Sequence, residues 1–178
     1  MANKQKIKGK GYERTIAKIF SETFGKNFMR VQNSGAFFGG QNAFRLSSHT
    51  AEQAKLFSGD IIPPENWSLL IECKARKDFK FHLMLRNQGN LDLNSWIEQA
   101  SIDYEKSKIN LMLIVFRPNC CGDYVCYEAN SRESSNRFED CTNFISYEYK
   151  NKTYYITELQ EFLTLNKERI EQICCLKQ

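Results

Sequence analysis

Leu111 to Phe116 reads LMLIVF, six consecutive apolar side chains. A run of this length and content is expected of a strand covered on both of its faces. Such a strand needs a layer on each side, and the neighbouring patterns supply them. Tyr12, Ile16, Ile19, Phe20 and Phe24 recur at helical spacing, with Gly25 as a stop. A second helix is predicted from about Ser95, where Ser95 and Glu98 have capping-box spacing and Trp96, Ile97, Ala100 and Tyr104 form an apolar face. A closing helix from Glu158 carries Leu159, Phe162, Leu163, Ile170 and Ile173. Further strands are predicted at Phe28–Val31, Ile61–Ile62, Trp67–Lys74, Tyr124–Glu128, Phe144–Tyr149 and Thr153–Thr157. The polar stretch from Gln32 to Ser58 reads as a long loop, and Pro63 to Asn66 as a turn. This order implies an α/β layer fold with a mixed central sheet flanked by helices, in one domain over residues 1–178.

Composition narrows the function classes. No apolar run approaches the length of a membrane span, and the first residues, MANKQKIKGKGYER, lack the apolar stretch of a signal peptide, so a cytoplasmic protein with no membrane partner is expected. The seven cysteines are odd in number and show no zinc-ligand spacing, and there are two histidines. Reduced, structural cysteines and no zinc site are therefore expected. The net charge is only +4, yet residues 1–30 carry +6 and residues 71–90 carry +3, leaving −5 on the remainder. That division predicts a polyanion-binding face built from basic residues 4–14 and 74–86, Lys10, Arg14, Arg76 and Lys77 among them. A solvated lysine-rich tail explains Lys4 to Lys10 equally well, but not the second basic stretch.

The chemistry is concentrated in Ile71-Glu72-Cys73-Lys74. Two residues apart on a strand, Glu72 and Lys74 project from one sheet face, with Ile71 and Cys73 on the other. A surface ion pair would explain the two residues alone. The preceding Ser58-Gly59-Asp60-Ile61-Ile62 is joined to this strand by the turn Pro63 to Asn66, which predicts a hairpin and places Asp60 near Glu72. Two carboxylates beside one lysine repel each other, and a hard divalent cation such as Mg²⁺ relieves that repulsion. The set suits phosphodiester hydrolysis, with Lys74 orienting the attacking water or stabilising developing charge.

The pattern Asp60…Glu72-Cys73-Lys74, with Glu13 on the first helix, resembles the PD-(D/E)XK nuclease superfamily, although Gly59 replaces the proline that usually precedes the aspartate. The N-terminal half, with KGKGYER, Met29-Arg30-Val31, Asn33-Ser34-Gly35 and the ECK strand, is most similar to the archaeal-type Holliday junction resolvases. The likeness spans about residues 8–116, and residues 120–178 extend beyond it. It implies a restriction-endonuclease-like core in αβββαβ order, followed by extra strands and a helix. It implies that Asp60 and Glu72 are metal ligands, that Glu13 assists through water, that the Cys73 carbonyl is a further ligand, and that Lys74 is catalytic. Mg²⁺ is the implied cofactor, with Mn²⁺ able to substitute. Arg14, Arg30 and Ser34 would contact DNA phosphates. Gln99, on the second helix with Tyr104 behind it, approximates a Gln-x-x-x-Tyr motif of other branches, one residue too long. In the long loop, Arg45 with Phe37, Phe38 and Phe44 could meet DNA or pack in the core, and His49 reads as exposed or DNA-contacting. The expected activity is resolution of four-way DNA junctions by a homodimer. The alternatives are a restriction-like or repair endonuclease on unbranched DNA, a nuclease directed at RNA, and a non-catalytic DNA-binding module of the same fold.

Overall fold

The computed structural model describes residues 4–31, 59–86, 88–107, 109–119, 121–129, 138 and 140–175. Helix α1 (Lys4–Phe24) takes the first basic lead into its opening turns. Tyr12, Ile16, Phe20 and Phe24 repeat every fourth residue and are all buried, giving the helix one continuous apolar stripe. Gly25, at φ 62°, ends it in the left-handed conformation that a glycine adopts without strain. The chain then forms a two-stranded ribbon, in which β1 (Met29–Arg30) pairs antiparallel with β2 (Ile61–Ile62).

The main sheet has five strands. They are β3 (Leu69–Arg76), β4 (Leu111–Pro118), β5 (Tyr124–Glu128), β6 (Phe144–Tyr149) and β7 (Lys152–Glu158), in the spatial order β3-β4-β5-β7-β6. Only β3 and β4 run parallel, because a crossover of two helices, α2 (Phe81–Leu85) and α3 (Leu91–Ser107), joins them. The remaining pairs are antiparallel. Lys150 and Asn151 both have positive φ, 50° and 60°, as the two-residue turn of the β6–β7 hairpin demands. The final helix, α4 (Leu159–Cys174), is capped by Glu158, whose carboxylate accepts from the Glu161 N–H.

The sheet separates two apolar layers. Leu69, Ile71, Cys73, Leu113 and Val115 face α1 and α4, where Phe20, Phe162 and Ile170 cover them. Leu70, Met112, Ile114 and Phe116 face α3, meeting Leu93, Trp96 and Ile97. The six side chains of Leu111–Phe116 are all buried, as a strand covered on both faces requires. Each of these side chains contributes on the order of 1.5–3 kcal/mol by leaving water. This is the mixed α/β architecture of a restriction-endonuclease-like fold.

Several boundaries differ from the sequence expectation: β3 and β4 each run two residues further, to Arg76 and Pro118, and α2 lies in a stretch where no helix is expected. Helix α3 begins at Leu91, not near Ser95, because Asn90 caps it: the Leu93 N–H donates to Asn90 Oδ1 at 3.1 Å. Ser95 and Glu98 lie exposed within the helix. Trp67 stands outside β3 and makes an isolated bridge to Cys175. The six described cysteines are free thiols, and Cys120 lies outside the described residues. No described helix is long and apolar enough to cross a membrane.

Candidate active site

Strand β3 is an edge of the main sheet, so one side of its backbone is open to another segment. Asp60 docks there. Its N–H donates to the Ile71 carbonyl at 2.8 Å, and its side-chain Oδ2 accepts from the Cys73 N–H at 2.9 Å. The Asp60 carbonyl accepts from the Val31 N–H at 2.9 Å, which ties the residue to the end of β1 as well. Gly59 makes this approach possible. At φ 76°, a Cβ on residue 59 would lie 2.6 Å from the Ile71 carbonyl oxygen, so any larger residue would push Asp60 off the strand.

The predicted β2–β3 hairpin does not form; β2 pairs with β1 instead. Pro63 and Pro64 follow β2 and have no N–H, so a ladder could not continue toward the turn. The Asp60 carboxylate takes the place of a main-chain acceptor, and the aspartate still arrives beside Glu72.

Glu72 and Lys74 share the α3 face of β3. Glu72 is 4 % exposed. Lys74 Nζ donates to Glu72 Oε1 at 2.6 Å and to Gln99 Oε1 at 2.9 Å. Gln99 Nε2 donates to the same Glu72 oxygen at 3.1 Å, closing a three-residue ring between β3 and α3. Burial and, after it, the Asp60 charge push the Glu72 carboxyl up to about 7, outweighing the opposing pull of Lys74. Tyr104 does not join the ring. Five residues after Gln99 it projects from another side of α3, where it is buried and its hydroxyl donates to the Asn110 carbonyl at 3.2 Å.

Helix α1 supplies Glu13, which is partly buried and paired with Arg30 Nη1 at 3.1 Å. Burial and then Asp60 raise the Glu13 carboxyl above its usual range, against the pull of Arg30, so Glu13 feels the charge of the same centre. Its neighbour Tyr12 anchors the helix here: the Arg117 guanidinium lies 4.8 Å over the Tyr12 ring and forks onto Asp123 at 2.7 and 2.6 Å. Asp103 on α3 was not anticipated from the sequence. Burial raises its carboxyl, Lys106 opposes that, and Asp60 raises it further. The signal was available, since Asp103 lies four residues after Gln99 and therefore on the same helical face.

The other expected residues are placed less centrally. Arg30 is engaged with Glu13 and with the Val31 carbonyl at 2.9 Å. Arg76 is paired with Asp92 at 3.0 Å, while Lys10, Arg14 and Lys77 are exposed. Ser34, Phe37, Phe38, Phe44, Arg45 and His49 lie outside the described residues. The Cys73 thiol points into the α1 layer, and burial followed by Asp60 pushes it well up, so only its main-chain groups border the site.

Among the described residues, no three His, Cys, Asp or Glu side chains converge closely enough to hold a metal ion unaided. Asp60 and Glu72 are nevertheless a fitting donor pair for a hard divalent cation. Such an ion is commonly held through one or two carboxylates, with waters and substrate phosphate completing its shell. Among the described residues neither a thiolate nor an imidazole joins Asp60 and Glu72, so the donors they offer are oxygens, as hard divalent cations take.

A family model described as "Phage putative PDDEXK endonuclease" matches residues 4–172. The chain belongs to this family. It is accordingly a nuclease of the PD-(D/E)XK superfamily, whose members generally use divalent metals. No curated protein and no solved structure gives a significant match. The matched family is a phage family and not the archaeal-type junction resolvases that the N-terminal half resembles. The family match also runs well beyond residue 116, through β5, β6, β7 and most of α4.

Proposed function

We propose that the protein is a Mg²⁺-dependent DNA endonuclease whose centre consists of Asp60, Glu72 and Lys74, assisted by Glu13 and Gln99. The observation that supports this best is the pinned Asp60 carboxylate beside a buried Glu72 that is bonded to both Lys74 and Gln99. When bound, the cation supplies Lewis acidity to the scissile phosphate and acidifies a water. The side chains do the remainder. Asp60 and Glu72 would hold the cation, with the Cys73 carbonyl as a further ligand and Glu13 reaching it through water. Gln99 restrains the Lys74 ammonium, leaving it positioned to orient the nucleophile and to stabilise charge on the phosphate oxygens. Exposed Lys10, Arg14 and Lys77 would provide the phosphate contacts that dominate affinity.

Branched DNA as the preferred substrate rests on the resemblance of KGKGYER and Met29-Arg30-Val31 to the junction resolvases. The described residues form one such centre, so paired cuts across a junction would call for a two-fold dimer. Incubating wild type and Asp60→Asn with four-way, duplex and single-stranded DNA, with and without Mg²⁺, tests both levels. Wild type is expected to cut only with Mg²⁺, and Asp60→Asn to bind without cutting. Cleavage by Asp60→Asn at the wild-type rate would remove the centre. Equal cutting of duplex and junction would remove the branched-substrate reading and leave the nuclease standing.

A further inference from the structure

Glu13 faces the catalytic centre from α1, and one turn earlier the same helix face carries Gly9 and Lys10, four and three positions before it. Against the burial and the Asp60 charge that raise the Glu13 carboxyl, Lys10 pulls it down, as a cation on the adjoining turn does. The helix runs antiparallel to β3. Near its start, Tyr12 lies under Arg117, the register partner of Ala75 late in that strand. At its end, Phe24 meets Trp67, just before the strand begins, at 5.1 Å. Gly9, about 6 Å beyond Glu13 along the axis, therefore stands at the sheet end from which Arg76 and Lys77 emerge. In a helix interior, glycine is more costly than any residue but proline. Gly9 lacks the positive φ of Gly25, Gly59 and Gly122, and a Cβ on it would meet no described atom within 4 Å. Gly11 shares both properties, but two residues from Glu13 it lies on the far side of the helix, where its carbonyl accepts from the exposed Thr15 hydroxyl at 3.1 Å.

We infer that Gly9 is a notch in α1 against which the sugar–phosphate backbone of the DNA runs beside the cleaved phosphate, with Lys10 pairing to a phosphate there. The proposal rests on the nuclease reading above and adds a contact residue to it. A helix without a side chain at one position lets the backbone of a ligand come up against its own. Charge selects a polyanion for that place, since Lys10 and Arg14 are exposed nearby on α1 and Lys77 is exposed at the same sheet end. A DNA strand that spans Lys77 and Lys10 crosses the edge that holds Asp60 and Lys74. A side chain at position 9 would stand in its path and lift the phosphates away from Lys10 and from the centre. The glycine that the protein alone does not require is thereby accounted for by the substrate.

The test measures binding of a blunt DNA duplex, in EDTA so that nothing is cleaved, by wild type, Gly9→Ala, Gly9→Leu and Gly11→Leu, together with the Tm of each. None of the three variants should have a lowered Tm, because alanine and leucine both favour a helix over glycine. Gly9→Leu is expected to bind about tenfold more weakly or worse, the size of one lost charge-assisted phosphate contact. Its log–log salt dependence should be flatter by about one. Gly9→Ala should fall between it and wild type, and Gly11→Leu should bind as wild type does. Wild-type affinity in Gly9→Leu, or an equal loss in Gly11→Leu, overturns the notch while the nuclease reading survives. A lowered Tm for Gly9→Leu would show that position 9 packs against the protein itself, and would equally overturn it. Absence of DNA binding by wild type overturns both readings.

Discussion

Glu72→Gln should stabilise the metal-free protein at alkaline pH while abolishing its activity. In the fold, burial and Asp60 raise the Glu72 carboxyl from 4.5 to about 7. A raised carboxyl means that the folded state holds its proton more tightly than the unfolded chain does. The associated stability is therefore fully present below about pH 4.5 and is lost as pH rises through about 7. At pH 8 that rise corresponds to about 3 kcal/mol. Glutamine keeps the shape and an oxygen acceptor for Lys74 but carries no charge, so it escapes this loss. Urea unfolding in EDTA should find the two proteins nearly equal at pH 4 and the variant more stable by up to about 3 kcal/mol at pH 8. Thermally, that is an increase in Tm of up to roughly 6–12 °C for a chain of this size. Mg²⁺ at pH 8 should narrow the gap by stabilising the wild type selectively. A wild type at least as stable as Glu72→Gln at pH 8 without metal would refute the reasoning, because the Lys74 pair would then outweigh burial and Asp60.

Three further outcomes follow from the same geometry. Gly59→Ala should destabilise the fold by on the order of 1–3 kcal/mol and lower cleavage, since φ 76° and the Ile71 carbonyl at 2.6 Å leave no room for a Cβ; an unchanged Tm with full activity would contradict this. Gln99→Leu removes both bonds to the Lys74–Glu72 pair and should reduce the single-turnover rate at least tenfold with DNA affinity unchanged, so a normal rate would show that Lys74 needs no restraint. DNA affinity should fall linearly in log–log plots against salt, and Arg14→Gln should flatten the slope by about one; a salt-independent affinity would rule out the basic face.

The parts of this protein that were legible in the sequence are those set by local periodicity. The stripe Tyr12, Ile16, Phe20 and Phe24, the doubly covered strand at Leu111–Phe116 and the helix from Leu159 each carry their pattern in adjacent residues. The proximity of Asp60 to Glu72 was readable as well, but by a route the chain does not take. Spacing about a turn suggested a ladder, whereas a glycine in the left-handed region and one side-chain acceptor make the contact. That contact depends on the Cys73 N–H, thirteen residues along the chain from the Asp60 carboxylate that accepts from it, and no local rule reports it. The Asn90 cap was concealed because Ser95 and Glu98 imitate a capping box inside a helix. Gln99 was drawn out by its motif spacing, but its double bond to Lys74 and Glu72 depends on how α3 crosses the sheet. Asp103 required that same crossing to become relevant.

The central claim is that Lys74, held by Glu72 and Gln99 beside Asp60, acts on a DNA phosphate. Single-turnover cleavage of labelled DNA in Mg²⁺ by wild type and Lys74→Ala, each with folding and DNA affinity verified, tests it most directly. A rate loss of about 100-fold or more with affinity preserved is predicted, as for removal of a positioned charge-stabilising donor. Cleavage by Lys74→Ala at the wild-type rate would contradict it, and would reduce the Glu72–Lys74 pair to a structural ion pair.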